Sequence, residues 1–517
     1  MLVFEIVIAL LLVGALLALC ASRLGVPYPA LLAVAGAALA FIPGMPTVSL
    51  DPELALALFV APTLLDAAYD SSPRDLRDNL VPVVSLALGA VALTIAAVAL
   101  VVHELAPGIG WAVAITLGAI VAPPDASAAT AVLRRLKLPH RVMVVLEGES
   151  LFNDAAALLV YRVAVAAAVS GTFVPWRVML MLIVTCGGGV IAGILLARLF
   201  LRLMLPLRDI PISILLQFIT TFAVWILADR LGLSAIITVV SYAMTISRHA
   251  PANIGARQRI ASFAVWEEAV FVLNVLAFVL IGLQLRGIVT RLDPVQWRDF
   301  GLCALAVCAA TIVTRIVWWM SHNTIARWRI RRFGARPPRP MFLPTFGSGL
   351  VISWAGMRGI VSLAAALALP LNFPYRDLIV LCAFSVVLAT LVVQGLTLRF
   401  LIERTGIRDD GFVEREINIA RAETARTALR TLESESSDPA VALREKYGRR
   451  LRAVESKLPD AELEESSGMV ALKRRVIADQ RQTLLSLRAR DVIGEAAFQA
   501  IEEELDRLEL SADVPLR

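Results

Sequence analysis

Three carboxylates stand inside hydrophobic stretches of this 517-residue chain, where an ionised group is expensive. Asp125 follows a helix-breaking pair in Ala122-Pro123-Pro124-Asp125, and Glu149 and Asp154 lie in Gly148-Glu149-Ser150-Leu151-Phe152-Asn153-Asp154. A carboxylate at membrane depth costs roughly 2.5–3.5 kcal/mol on insertion scales and by default marks an ion or proton path. Neither Pro123 nor Pro124 has an N–H, so the helical bonds to the carbonyls of Ala119 and Ile120 are lost. Freed carbonyls survive in hydrocarbon only where the backbone lines a polar cavity or is buried in protein, and a cation is one partner that satisfies them. The bland alternative is a proline kink with an acid near water. Leu133-Arg134-Arg135 marks the membrane edge only after a further turn or two, which places Asp125 at depth.

On the next segment Ser150 and Asp154 are four apart, as are Glu149 and Asn153, so the helix carries two adjoining polar stripes. Hard cations such as Na⁺ take several oxygen ligands, and Asp125, Ser150 and Asp154 make a cage of carboxylate and hydroxyl oxygens. A desolvated carboxylate also favours protonation, so H⁺ and a cation compete for one anionic site. That competition is the minimum chemistry of antiport. Arg358, in Trp354-Ala355-Gly356-Met357-Arg358-Gly359, is likewise intramembrane and needs a counter-charge. A structural Glu149–Arg358 ion pair is expected, leaving Asp125 and Asp154 as the working acids.

Acids at that depth need apolar helices to hold them. The chain is 58% hydrophobic with mean hydropathy +0.75, too apolar for a water-soluble protein of this length. Stretches of about twenty apolar residues recur to about residue 401, each able to cross a roughly 30 Å hydrocarbon core. Gly, Pro and charge punctuation divides them into about thirteen spans. Their centres fall near Ile8, Ala33, Phe59, Ala90, Ala119, Leu158, Gly188, Phe218, Thr238, Leu276, Ala309, Gly356 and Val387. The expected fold class is an all-α polytopic membrane protein, with residues 1–402 as the transmembrane domain and 403–517 as a helical tail.

Met1 to Cys20 has no basic opening and no small-x-small cleavage site, so it reads as the first span and not a signal peptide. Cys20, Cys186, Cys303, Cys308 and Cys382 all fall in apolar segments without metal-ligand spacing and read as small buried hydrophobes. The net charge of +6 belongs to loops and tail, and no basic-aromatic stripe or zinc pattern supports nucleic-acid binding.

Basic residues gather in alternate loops. Arg23, Arg74, Arg77, Arg134, Arg135, Lys137, Arg141, Arg198, Arg202, Arg208, Arg248, Arg257, Arg259 and the run from Arg327 to Arg339 fall on one side. Arg177, Arg230, Arg286, Arg291, Arg298 and Arg376 fall on the other, roughly nineteen against about six. The positive-inside rule then puts the N-terminus outside and the tail in the cytoplasm.

Pro124-Asp125-Ala126, the string Gly148 to Asp154 and Gly356 to Gly359 together resemble the electroneutral sodium/proton exchanger family. Its hallmarks are a Thr-Asp-Pro stretch on an unwound helix, a Gly-Glu-Ser-x-x-Asn-Asp stretch and a Gly-x-Arg-Gly stretch. Phe271 to Asn274 and Leu280 to Leu285 also look like family stretches, so the likeness covers the whole membrane domain. The resemblance implies a bacterial plasma-membrane antiporter built from inverted repeats with crossing broken helices, a mobile core beside a dimerisation domain, and a homodimer in lipid. It implies a cation held around Asp125, Ser150 and Asp154 with the backbone carbonyl of Pro124. Asn153, where electrogenic relatives carry a second aspartate, implies one-for-one exchange. Pro124 replaces the family threonine and Ala126 the family proline, which removes a hydroxyl ligand and leaves Na⁺, Li⁺ and K⁺ all open as substrates.

The function expected is secondary exchange of Na⁺ for H⁺ in pH and cation homeostasis, with no enzyme activity and no cofactor. K⁺/H⁺ exchange is the alternative within transport, and a channel or sensor on the same fold the alternative outside it. Asp66 is a candidate for a vestibule, Glu267 and Glu268 for a snorkelling or paired role at the start of a span, and Arg162 and Arg315 have no evident partner. The tail reads as amphipathic helices from Glu414 to Leu432, Val441 to Leu458, Val470 to Leu487 and Asp491 to Leu510, interrupted at Asp438-Pro439 and Pro459. It is expected to cap the membrane domain, with a regulatory role as the second reading.

Overall fold

The computed structural model describes residues 2–24, 26–43, 51–133, 138–171, 175–204, 207, 209–250, 254–290, 297–334, 343–456 and 468–513. Arg134, Arg135, Lys137, Arg208, Arg291, Arg336, Arg339 and Pro459 lie outside them. The described residues form helices throughout. In order these are α1 (Leu2–Leu24), α2 (Tyr28–Leu39), α3 (Pro52–Asp70), α4 (Pro73–Asp78), α5 (Leu80–Leu105), α6 (Trp111–Val121), α7 (Ala126–Leu133), α8 (His140–Ser170), α9 (Pro175–Met204) and α10 (Ile210–Arg230). There follow α11 (Ala235–His249), α12 (Ala256–Val289), α13 (Trp297–Phe333), α14 (Phe346–Trp354), α15 (Ile360–Leu367), α16 (Arg376–Thr405), α17 (Phe412–Leu432), α18 (Asp438–Ser456), α19 (Gly468–Ala489) and α20 (Glu495–Asp513).

Among the described residues nine helices are long and apolar enough to cross a membrane, and α2 and α6 are shorter apolar helices. Every expected span centre falls on a helix except Gly356, which lies in the gap between α14 and α15. The chain is thus an all-helical polytopic membrane protein. Within α3, α5 and α16 the helix widens into π turns at Leu56–Val60, Ser85–Ala90 and Thr390–Gln394.

One order occurs twice: a long helix, a broken helix, a long helix. It runs α5, α6/α7, α8 and again α13, α14/α15, α16. The first break follows from Pro123 and Pro124. The second has no proline: Gly356 and Gly359 flank it, and its carbonyls are taken up by arginines, as described below.

Buried side chains gather into two large apolar bodies. The first joins α5, α6, α7, α13, α14 and α16 with α2 and the second half of α12. The second joins α3, α9, α10 and α11. Three helices belong to both. On α5, Leu86, Ala90 and Val98 pack in the first body and Val83 in the second. On α8, Val142, Val145 and Leu146 pack in the first body, Leu151 and Ala155 in the second. On α15, Leu363, Ala365 and Ala366 face the first and Val361 the second. The acids of interest therefore stand at a seam.

Cys303, Cys308 and Cys382 are buried as expected, whereas Cys20 is exposed on the outer face of α1 and Cys186 is half-buried on α9. All are free thiols. Glu267 and Glu268 are exposed and lie well inside α12, not at its start. Asp66 is half-buried on α3.

The helices after residue 411 have an apolar core of their own. Leu484, Phe498, Ile501 and Leu505 meet on α17 near Ala420, and Leu432, Leu443, Tyr447 and Val476 form a second cluster.

Candidate functional site

The two breaks are bonded to each other. The Asp125 N–H donates to the Met357 carbonyl at 2.7 Å, tying the gap between α6 and α7 to the gap between α14 and α15. Gly359 backs directly onto the acid: a Cβ added there would overlap the Asp125 carboxylate and lie 2.8 Å from the Asp125 Cβ. A glycine is required by this close approach, not by its φ.

Half-helices that end inside a protein leave carbonyls without partners. Two buried arginines supply them. Arg358 donates through Nε to Val121 O at 3.0 Å and through Nη2 to Ala122 O at 3.1 Å, at the end of α6, and through Nη1 to Gly356 O. Arg315, on α13, donates through Nε to Ser353 O at 3.2 Å and through Nη2 to Ile352 O at 3.3 Å, at the end of α14. Each guanidinium also sets a positive charge at the negative end of a helix dipole.

This arrangement corrects the expected Glu149–Arg358 pair. Glu149 is held by Arg315, bidentately, at 2.5 and 2.7 Å, with both residues almost completely buried. Arg358 has no carboxylate in its hydrogen bonds and is engaged by backbone instead. Sequence distance could not choose between two intramembrane arginines for one glutamate. Arg315, the residue without an evident partner, is the one that reaches from α13 to Glu149 on α8. Arg162, also unplaced, pairs with Asp229 on α10 at 2.9 Å, half-exposed on both sides.

The polar turn of α8 meets the first break. Asn153 is fully buried and donates from Nδ2 to the Pro124 carbonyl at 2.8 Å, while its Oδ1 has no hydrogen-bond partner. The carbonyl expected to hold a cation is thus already engaged, with its second lone pair left over. Asp154, the next residue, is buried, and Asp125 and then Glu149 are the charges that act on it. Ser150 and Asp125 are half-buried. The structure therefore brings Asp125, Pro124, Asn153 and Asp154 together, with Glu149 turned toward Arg315 on the other stripe of α8. Sequence reading missed Arg315, Gly359 and the Met357 carbonyl. The only available signal was that an arginine at depth demands an acid.

Charge can be followed through the site. Glu149, Asp125 and Asp154 stand against Arg315 and Arg358. With all five ionised, these five side chains sum to one negative charge. A monovalent cation or a proton restores neutrality, and the two together overshoot it.

Gly359→Ala is expected to push the Asp125 carboxylate aside or part the crossing. Overpacking of this kind costs about 1–3 kcal/mol, so folding should survive while cation-driven flux falls about tenfold or more. Flux assays beside thermal unfolding check this, and unchanged flux would remove the role given to Gly359.

The transmembrane sodium/hydrogen exchanger family model matches residues 7–404. An uncharacterized Na(+)/H(+) exchanger of Mycobacterium tuberculosis is 32% identical over 98% of this chain and 96% of its own length. A sodium, potassium, lithium and rubidium/H(+) antiporter of Bacillus pumilus is 29% identical over 83% of this chain and 66% of its own. The fold matches that of the sodium proton antiporter MjNhaP1 of Methanocaldococcus jannaschii, with a TM-score of 0.63 at 18% identity, over 78% of this chain and 97% of that one.

Proposed function

This chain belongs to the sodium/hydrogen exchanger family, a family of monovalent cation/proton antiporters and not of enzymes, and we propose that it exchanges Na⁺ for H⁺ one for one at the crossing of its broken helices. The buried acid Asp154, set beside Asp125 and beside the broken helix whose Pro124 carbonyl Asn153 binds, carries this reading. Glu149 is neutralised by Arg315, Arg358 is spent on carbonyls, and Asn153 adds no charge.

In the proposed cycle Asp154, with Asp125 and Ser150, loses a proton to one side and takes a cation. The second lone pair of the Pro124 carbonyl and the free Oδ1 of Asn153 are further oxygens within the same turn. Once neutral, the site can pass through the low-dielectric seam; once empty and charged, it pays a desolvation cost to do so. Cation and proton fluxes are thereby coupled. Alternating access of this kind is rigid movement of one bundle against another around a midplane site.

The orientation we infer puts the tail in the cytoplasm and the N-terminus outside, across a bacterial plasma membrane. Arg74, Arg77 and Arg259, assigned to the inner side by charge, all reach the same C-terminal helices, which supports that grouping. Association as a homodimer is part of the same proposal.

The test is proton release from acid-loaded inverted vesicles, followed by dequenching of a pH-sensitive dye on adding LiCl, NaCl, KCl or RbCl. Na⁺ is expected to give the strongest response, and a response to K⁺ alone would replace the cation in this reading. The name of the Bacillus relative makes a broad response the second reading. One-for-one exchange predicts a rate indifferent to an imposed membrane potential, and a rate that follows the potential rules it out.

A further inference from the structure

A cavity of about 410 Å³, its open mouth included, lies between α5, α8, α13 and α14. Asp125, Asn153 and Asp154 are not among its walls. It occupies the end of the bundle where α8 and α14 begin. Arg141 opens α8, Ser348 stands in the first turn of α14, and Trp319, His322 and Asn323 come from the last third of α13. Among the described residues that line it there is no carboxylate.

Its polar walls are built of donors. Trp318 and Trp319 are neighbours on α13, but only one indole N–H is spent. Trp318 donates to the Ser85 carbonyl at 2.9 Å, at the π turn of α5. Trp319 is 4% exposed, and its Nε1 has no hydrogen-bond partner. A buried indole N–H normally finds an acceptor, and leaving a buried donor unmet costs about 1–3 kcal/mol. His322 stacks on Trp319 with ring centroids 5.0 Å apart, and its Nδ1 lies 3.0 Å from the Ser85 hydroxyl. A Ser85 hydroxyl that donates to Nδ1 leaves the ring hydrogen on Nε2. Arg141 Nε donates to Asn79 Oδ1 at 3.0 Å, which holds the guanidinium in place, and Arg141 is the charge that acts on His322. The start of α14 is fixed too: Asn323 donates to the Thr345 carbonyl at 2.9 Å, and Thr345 and Ser348 cap each other. Its first turn brings the positive end of a helix dipole to the same walls.

We propose that this cavity is a binding site for a phosphate group, presented by an anionic membrane lipid whose headgroup enters between α8 and α13. A guanidinium, an unspent indole N–H, an imidazole and a helix start, with no acid among them, suit an oxyanion and repel a cation. Basic pockets between membrane helices on the cytoplasmic side are a recurrent form of lipid headgroup site, and that is the side this end faces in the orientation inferred above.

The surroundings favour a lipid over a free anion. On α5 the lining residue Pro82 is flanked by Leu80, Val81 and Val84, and on α13 Ala326 is flanked by Ile325 and Trp328, all exposed and apolar. Acyl chains have a surface to lie on at either side. Beyond Ala326, α13 ends in Arg327, Arg329, Arg331 and Arg332, with exposed Trp328 packed edge-on against Phe333 at 5.5 Å. Basic and aromatic residues of this kind sit at the headgroup level of a bilayer. A headgroup held there would bridge α8 and α13, the two helices that Glu149 and Arg315 join deeper in the bundle. Trp319 lies four residues after Arg315 and so shares its face of α13.

The test reads binding and not flux, so it stands or falls apart from the antiport reading. The delipidated full chain in detergent is titrated with phosphatidylglycerol, with phosphatidylcholine, whose phosphate carries its own ammonium, or with inorganic phosphate, and bound species are counted by native mass spectrometry. The parent is expected to hold one phosphatidylglycerol at least about tenfold more tightly than phosphatidylcholine. Trp319→Phe, which keeps a ring but loses the N–H, and Arg141→Gln should each weaken that binding about tenfold. Ala326→Leu, which fills the cavity and removes no donor, should weaken it as much and guards against a misfolded Arg141 variant. Phosphatidylglycerol held equally by the parent and by both Trp319→Phe and Ala326→Leu would overturn the site, as would equal retention of the two lipids. Loss of binding only in Arg329→Gln with Arg332→Gln would place the lipid on the exposed end of α13 and overturn the cavity. Tight retention of inorganic phosphate with no preference for phosphatidylglycerol would overturn the lipid as its source.

Discussion

Asp154→Asn is expected to cut cation-driven proton flux by about a thousandfold at sub-saturating Na⁺, while leaving the fold intact or slightly more stable. A carboxylate about 4 Å from a monovalent cation contributes about 4 kcal/mol at an effective dielectric near 20, which is about a factor of a thousand in binding. Asparagine fills the same volume and keeps an oxygen, so packing beside Leu151 and Ala155 is retained. It also removes a buried charge whose like-charged neighbours are Asp125 and Glu149. Loss of flux with an undiminished unfolding temperature separates a transport role from a structural one. Full activity in this variant would refute the assignment. Asp125→Asn should behave similarly, with a stronger effect on cation affinity, because Asp125 sits in the backbone crossing.

The second large effect concerns Arg315. Arg315→Met strands Glu149, fully buried, without its guanidinium, and strips donors from the Ser353 and Ile352 carbonyls. Removing one partner of a buried pair costs about 3–5 kcal/mol, enough to lower folded yield severely in a marginally stable protein. Replacing both charges, as in Glu149→Leu with Arg315→Met, should restore much of the loss, since a well-packed apolar pair is about as stable as a buried ion pair. Restoration should remain incomplete, because the end of α14 still lacks its donors. Thermal unfolding of detergent-solubilised single and double variants checks this. If Arg315→Met unfolds like the parent while Arg358→Met does not, the pairing in the structure is wrong and Glu149 belongs with Arg358. Arg358→Met is expected to harm the fold by a different route, by leaving the Val121, Ala122 and Gly356 carbonyls unpaired at the crossing.

Glu149 shows how the same residue type serves two ends. It shares a stripe of α8 with Asn153, one residue before Ser150 and five before Asp154, yet it faces α13 and is neutralised there. Asp154 follows the Asn153 that binds the broken helix at Pro124, and its charged neighbours are Asp125 and Glu149. A single turn of helix thus separates an acid that holds the protein together from one that can be discharged and recharged. The hundred-degree step between successive helical residues makes that division possible.

What the sequence determined alone is what depends on local chemistry. Hydrophobic length sets which segments can cross a membrane, two prolines without N–H groups break α6 from α7, and i, i+4 spacing puts Ser150 with Asp154 and Glu149 with Asn153. These are properties of neighbours in the chain, and the helices stand where they were expected. What only the tertiary structure decided is which distant groups meet. Two arginines and one glutamate at depth permit either pairing by charge, and the packing of α13 on α5, α14 and α16 brings Arg315 within reach of Glu149. Arg358 is freed to bind carbonyls because the second break lies against the end of α6. Gly359 is only the end of a short motif until the crossing sets it against Asp125. The tail reads as an amphipathic helical cap, and only its docking shows that Glu416, Glu502 and Asp506 are buried against arginines far away in the chain. Contact between segments hundreds of residues apart is fixed by the closest packing of all the helices at once, and no local pattern encodes it.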